Sequence, residues 1–143
     1  MTASALDARL AADTVPVTAL ALCEVRLLDD RRFPWAVLVP GRPGAVEIVD
    51  LDAADRARLI EEIAEVSAAM REAFGPDKLN VGALGNVVPQ LHVHVVARFR
   101  TDAAWPGPVW GTGREPYDDD ARARAADALR SRLDGRRAPG VSG

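Results

Sequence analysis

The stretch Gln90-Leu91-His92-Val93-His94-Val95-Val96-Ala97-Arg98 decides how this chain is read. It holds both histidines of the protein, and its polar and apolar residues alternate with the period of a half-buried β-strand. Side chains two residues apart in a strand point to one face. Gln90, His92, His94 and Arg98 therefore share a face with Val96, while Leu91, Val93, Val95, Ala97 and Phe99 share the other. The second face reads as a wall of the core. The first presents two imidazoles, an amide and a guanidinium, and is the candidate site.

Working outward, the Gly82–Pro89 run holds two glycines, Asn86 and a proline, and reads as a loop feeding the histidine strand. Before it, Lys78–Ala83 reads as another core strand. The clearest helix covers about residues 53–74: Asp52 can cap it, and Asp55 suits the dipole of its first turn. Leu59, Ile63, Val66, Met70 and Phe74 form its apolar stripe, and Gly75-Pro76 stops it. Its other side, with Arg56, Arg58, Glu61, Glu62, Glu65, Arg71 and Glu72, reads as a solvated face. Ala19–Leu28 and Trp35–Val39 read as an antiparallel pair of strands joined by the turn at 29–34, and Val46–Val49 as a brief extended piece. Residues 4–13 read as a short helix capped by Ser4 and ended by Val15-Pro16-Val17.

After the histidine strand, 100–117 is irregular around Trp105-Pro106-Gly107-Pro108-Val109-Trp110-Gly111, which holds two of the three tryptophans. Two readings stand side by side: a lid on the chain's own core, or a cover for the site that reaches a second subunit. Asp118–Leu133 reads as a final helix, acidic at its start and arginine-rich towards its end, with little apolar surface. Residues 135–143 read as a disordered tail. The chain is thus one domain over 1–134, with its motif-bearing core at 17–111.

At 143 residues the chain is long enough to bury a real core, and with 48% apolar and 27% charged residues it has a soluble, globular composition. Abundant alanine and arginine suit a GC-rich bacterial genome. A net charge of −3 offers no general attraction to nucleic acid or an anionic membrane, so any phosphate must be held by a local site. The single Cys23 excludes an intramolecular disulfide and a thiolate zinc cage, and it reads as a packed small residue. No leader opens the chain and no apolar run approaches ~18 residues, which suits a cytoplasmic protein.

Three chemistries compete for the histidine face. The histidines can merely decorate a sheet. They can bind zinc, but zinc commonly takes three or more protein ligands, and neither a third histidine nor a nearby carboxylate is present. Or an imidazole can attack phosphorus while a hydrogen bond on its other nitrogen fixes the tautomer. In that case the second imidazole, Gln90 and Arg98 would steady charge on the non-bridging oxygens, and the glycine-containing loop would bring backbone N–H groups to the phosphate.

Gln90–Val96 resembles the signature of the histidine triad (HIT) superfamily of nucleotide hydrolases and transferases, His-φ-His-φ-His-φ-φ with φ apolar. All four apolar positions match, as do the second and third histidines; Gln90 replaces the first. A register two residues later would put Val96 at a histidine position and is rejected. Gly85-Asn86 stands where many members carry Gly-Gln or Gly-Asn, and a Trp-Pro follows the last strand. The resemblance implies an α+β fold with a five-stranded antiparallel sheet, one long helix and a shorter terminal helix. It also implies a homodimer with a sheet continued across the interface. His92 would be the nucleophile that forms a covalent nucleotidyl intermediate, with His94, Asn86 and Gln90 around the phosphate. Trp35 is the nearest match to a further family histidine before the helix, and it could stack on a base or close the pocket. Asp29 is the nearest match to a ribose-binding residue, and Asn80 would support the phosphate loop. The implied ligand is a nucleotide, preferably a purine, with no metal, cofactor, nucleic acid or membrane partner. The alternative is a nucleotide-binding module that has lost turnover.

Overall fold

The structure is a computed structural model that describes residues 5–136. Five antiparallel strands carry it: β1 (Thr14–Ala19), β2 (Cys23–Leu28), β3 (Trp35–Pro40), β4 (Lys78–Gly82) and β5 (Val93–Arg98). Their spatial order is β1-β2-β3-β5-β4, so the histidine strand sits inside the sheet with β3 and β4 on either side. Three helices complete an α+β fold: α1 (Ala8–Asp13), the long α2 (Ala53–Phe74) between β3 and β4, and the terminal α3 (Asp119–Arg136).

Local chemistry sets the helix ends. The Asp52 carboxylate accepts the Asp55 N–H at 2.8 Å at the start of α2, and Gly75 ends it with φ +61°, a left-handed turn that favours glycine. One face of the sheet packs on α2 and α3: Val25, Leu27, Leu38, Val93 and Val95 meet Leu59, Val66, Met70, Leu129 and Leu133. Leu91 and Ala97 belong to this core, as the alternation predicts. The small apolar surface of α3 suffices, because Ala126, Leu129 and Leu133 are all buried.

Five sequence expectations change. The fifth strand is β1, formed by residues expected to end the first helix, and the expected extended piece at Val46–Val49 leads into a short 3-10 helix at Ile48–Asp50. Pro16 is tolerated in β1 because this is an edge strand that needs no outward N–H, and its register shifts between Pro16 and Thr18. Arg130 of α3 reaches that edge, donating to the carbonyls of Val17 at 2.7 Å and Pro16 at 3.2 Å. The run from Ala19 to Leu28 is broken by a turn, in which the Leu20 N–H donates to the Cys23 carbonyl at 2.8 Å. Glu62 leaves the solvated face of α2: it is 1% exposed, and its carboxylate accepts the N–H groups of Leu22 at 2.9 Å and Cys23 at 2.8 Å. That turn would otherwise bury two unpaired donors. Cys23 is buried and free, and burial with the nearby Glu62 carboxylate pushes its thiol far above the ordinary range. Finally, α1 starts at Ala8 and is capped by Asp7; Ser4 lies outside the described residues. Of the expected tail, 135–136 belong to α3 and 137–143 lie outside the described residues.

The segment after β5 is tied down by Arg98, which is 1% exposed. Its Nε and Nη2 form a two-point ion pair with Asp102 at 2.8 and 3.1 Å. Its remaining N–H groups reach the Asn80 side chain at 2.7 Å and the Gly107 carbonyl at 2.8 Å. Burial raises the Asp102 carboxyl, but hydrogen bonds from Arg98, Phe99 and Ala104 outweigh that and hold it down to about 2, from an ordinary 3.8. A depressed carboxyl stabilises the fold above its unfolded pKa and stops doing so as pH falls through the folded one. Stability owed to Asp102 should therefore disappear between about pH 4 and pH 2, a loss that acid unfolding of Asp102→Asn should no longer show. Asp102→Ala is expected to cost about 3–5 kcal/mol in urea unfolding at neutral pH, because it leaves a buried guanidinium without its counter-charge.

Candidate active site

The strand ladder stops just short of His92. Register with β3 ends at the Leu38–Val93 pair, and register with β4 ends at Gly82–His94. Residues 90–92 are thus outside the strand that alternation placed there, because their backbone has other partners. The Leu91 N–H donates to the Ala45 carbonyl at 3.0 Å. His92 turns its ring back onto its own chain, with Nδ1 2.7 Å from the Gln90 carbonyl oxygen. A carbonyl can only accept, so the proton is on Nδ1 and the lone pair is on Nε2. That is the tautomer an imidazole nucleophile needs.

His94 lies beside it, ring centroid 4.9 Å from that of His92 and nearly edge-to-face. Its Nδ1 accepts the indole N–H of Trp35 at 2.8 Å. An indole nitrogen donates and never accepts. The neutral His94 ring therefore carries its proton on Nε2, opposite in tautomer to His92. Burial, with the neighbouring His92 second, pulls the His94 pKa from 6.5 down to about 4, so the ring is uncharged at neutral pH. The pair combines one free imidazole lone pair with one fixed N–H donor.

The histidine face is not the open polar surface that alternation suggests. His92 and His94 are 6% and 8% exposed. Around them a second core joins Leu10 of α1, Phe33, Trp35, Val37, Val39, Val96 and Val109, with Trp110 packed against it. Trp110 stands edge-to-face on His94 at 5.7 Å and on Trp35 at 6.1 Å. It also explains Gly82, where an added Cβ would stand 3.1 Å from the Trp110 ring. Trp105 lies 5.7 Å from the Arg98 guanidinium. Both tryptophans of the 105–111 segment thus cover their own chain.

Arg98 shares the face but not the site. Its guanidinium is spent on Asp102, Asn80 and the Gly107 carbonyl, which corrects the expectation that it would steady phosphate oxygens. Alternation gives a side chain's face but not its partners, and Asp102 lies on an irregular segment. Asn80 is accordingly one step removed from the histidines. Asp29 is not brought to them either: its carboxylate accepts the Tyr117 N–H at 3.0 Å and pairs with Arg122 at 3.2 Å, fastening the C-terminal segment. Trp35 is 5% exposed and serves His94 through its N–H. Asn86 is exposed on the loop beside Gly85, whose φ of +71° makes the turn there.

Gln90 has an unforeseen set of partners. Its amide oxygen accepts the Asp7 N–H at 2.7 Å, and its amide nitrogen donates to the Ala5 carbonyl at 3.2 Å. The N-terminal segment thereby becomes part of the site's surroundings, and no spacing in the sequence signals it. His92 opens onto a cleft of about 280 Å³ walled by Val46, Ile48 and Val49 on one side and by Ala83, Leu84 and Gly85 on the other. None of its lining residues is Lys or Arg. A larger groove of about 570 Å³ along β1 and the 20–22 turn shares Gln90 but contains neither histidine. Among the described residues no group of three or more His, Cys, Asp or Glu side chains could hold a metal ion. Nor is any helix among them long and apolar enough to cross a membrane.

The chain is similar to solved bacterial structures over almost its whole length. A histidine triad protein from Bradyrhizobium japonicum is 47% identical, with a TM-score of 0.89, over 92% of this chain and 99% of that one. A histidine triad (HIT) protein from Sinorhizobium meliloti 1021 is 45% identical, with a TM-score of 0.87, over 90% of this chain and 96% of that one. A histidine triad protein from Marinobacter aquaeolei VT8 is 43% identical, with a TM-score of 0.89, over 94% and 98%. No curated protein matches. The HIT domain profile matches residues 10–101, which include both histidines, the loop before them and all five strands in full. This chain belongs to the HIT domain family.

Proposed function

We propose that this protein is a nucleotide phosphohydrolase or phosphoramidase that cleaves at the α-phosphate of a nucleoside monophosphate conjugate, a dinucleoside polyphosphate or a nucleoside phosphoramidate. The observation that carries the reading is the His92 Nδ1–H held by the Gln90 carbonyl at 2.7 Å, which leaves Nε2 free to attack. In the first step Nε2 forms a bond to the α-phosphorus as the bond to the leaving group breaks. The leaving group departs with the electron pair of that bond and takes up a proton. The Gln90 carbonyl supports the positive charge that develops on the imidazole. In the second step water attacks phosphorus, the phosphorus–nitrogen bond breaks, and His92 regains its lone pair as the nucleoside monophosphate leaves. His94 contributes an Nε2–H donor to a non-bridging oxygen, and Asn86 and the 83–89 loop adjoin the same phosphate. With nucleotides as substrates, we place the protein in the cytoplasm.

A second reading has one observation in its favour. The cleft is lined by no cationic side chain, and Arg98 is fully engaged, which suits a nucleotide-binding module of weak turnover. Assembly belongs to the proposal as well. β4 is a sheet edge with Val81 50% exposed, which supports a homodimer with the sheet continued there. Sedimentation at micromolar concentration is expected to give a dimer, and a fully active monomer would remove this part.

The decisive assay follows nucleoside monophosphate release from adenylated and guanylated donors together with covalent labelling of the protein. His92→Ala is expected to abolish both while costing only about 0.5–3 kcal/mol of stability, since the ring is buried but makes one hydrogen bond. Turnover within about tenfold of wild type would remove His92 as nucleophile. Wild-type protein that binds nucleoside monophosphate but never becomes labelled would favour the binding module.

The tautomer of His94 gives a separate test. Because its folded pKa is depressed, its contribution to stability is full above about pH 6.5 and is lost as pH falls toward about 4. Trp35→Phe removes the indole donor and lets Nδ1 take a proton. An NMR titration should then show the His94 pKa rising, and the acid limb of the rate profile should move up with it. A wild-type His94 that already titrates near 6.5 would contradict the buried, neutral ring.

A further inference from the structure

We propose that Gln90 is a positioning residue that latches the N-terminal segment 5–13 onto the loop before His92 and so holds the nucleophile in its reactive tautomer. The inference rests on the reading of His92 as nucleophile and concerns what the position of the replaced triad histidine does in this chain.

The Gln90–Leu91 peptide group holds His92, because its carbonyl accepts the Nδ1–H. That peptide lies outside the strand ladder, so the sheet does not fix its orientation. On its N–H side it is anchored by the Ala45 carbonyl at 3.0 Å. On the other side the anchor is the Gln90 side chain, bonded to the backbone at Ala5 and Asp7. A carboxamide carries its acceptor and donor side by side, as a peptide group does, and can pair with a main chain as a neighbouring strand would. An imidazole has its donor and acceptor at separate corners of a ring and cannot copy that pairing.

The segment is fastened at a second point on the same loop. Arg9 donates to the Val87 carbonyl at 2.8 Å, and Asp7 steers it from both its N–H and its guanidinium. Leu6 and Leu10 supply the apolar side, packed in the second core with Val37, Val39 and Val88. The run 87–90 is therefore gripped at both ends by residues 5–9. Detaching the segment would release the carbonyl that fixes His92, and a ring free to exchange tautomers spends less time with its lone pair on Nε2.

Three full-length single variants, and the double variant Gln90→Leu with Leu6→Ser, test this. Gln90→Leu keeps the bulk but removes the amide, Gln90→Glu keeps only the acceptor, and Leu6→Ser loosens the segment without touching residue 90. The readouts are the His92 ring tautomer by nitrogen NMR, the rate of trypsin cleavage after Arg9, and single-turnover labelling with an adenosine phosphoramidate. Gln90→Leu should expose Arg9 to trypsin, lower the Nδ1–H population and slow labelling about tenfold, more through kcat than KM, the scale expected of a misplaced reactive group. Gln90→Glu should fall between wild type and Gln90→Leu. Leu6→Ser should move the tautomer in the same direction, and the double variant should be little worse than Gln90→Leu alone. An unchanged tautomer in Gln90→Leu, with only thermal stability lost, would overturn the proposal. So would exposure of Arg9 in Leu6→Ser with no response at His92. If the wild type is never labelled, the tautomer and trypsin readouts still decide the latch; if it is labelled and the tautomer does not respond, only the latch fails.

Discussion

Both faces of β5 are buried, and the rest of the site follows from that constraint. Every residue from Val93 to Arg98 lies inside the protein. A polar group on such a strand must find its partner within the chain, because an unpaired one costs on the order of 1–3 kcal/mol. His94 therefore takes the Trp35 indole and Arg98 takes Asp102 and Asn80, while His92, buried just before the strand, takes the Gln90 carbonyl. Three separate hydrogen-bonding problems are solved by three different elements: β3, the irregular segment after β5, and the loop before it. The two imidazoles end up in opposite tautomers because one ring meets an acceptor and the other meets a donor.

Much of this was legible in the residues. The alternation from Leu91 to Ala97 marks the core wall correctly, and α2 is visible from Asp52 to Gly75 with its stripe nearly intact. The pairing of His92 with His94 on one face also follows from spacing alone. What alternation cannot convey is what lies over a face. It presented the histidine side as polar because it could not see Leu10, Val109 and Trp110 arriving from distant parts of the chain. Glu62 shows the same limit: its charge argues for solvent, and only the turn at Leu22 and Cys23 explains its burial. Thr14–Ala19 escaped notice because Pro16 is a strong reason to end a strand, except at an edge where the missing N–H faces outward.

The family signature and the structure speak to different parts of the site. Membership in the HIT family covers the fold, the loop and both histidines. The particular geometry of the site is set by Gln90, whose side chain pairs with the backbone at Ala5 and Asp7, and by Trp35, the partner of His94. Trp35 cannot change charge, so its N–H keeps the His94 proton on Nε2 for as long as the ring is neutral, and Gln90 provides main-chain pairing that a ring would not.

The two borders of the sheet are chemically unlike. Along β1 a proline removes one donor, and Arg130 occupies the carbonyls of Pro16 and Val17, so these groups are withdrawn from pairing with another chain. A layer with two sticky rims can grow without limit and is the raw material of fibres. Blunting one rim disfavours growth beyond a single head-to-head addition through the other. This chain can thus keep one border of its sheet available with less of the hazard of open-ended polymerisation.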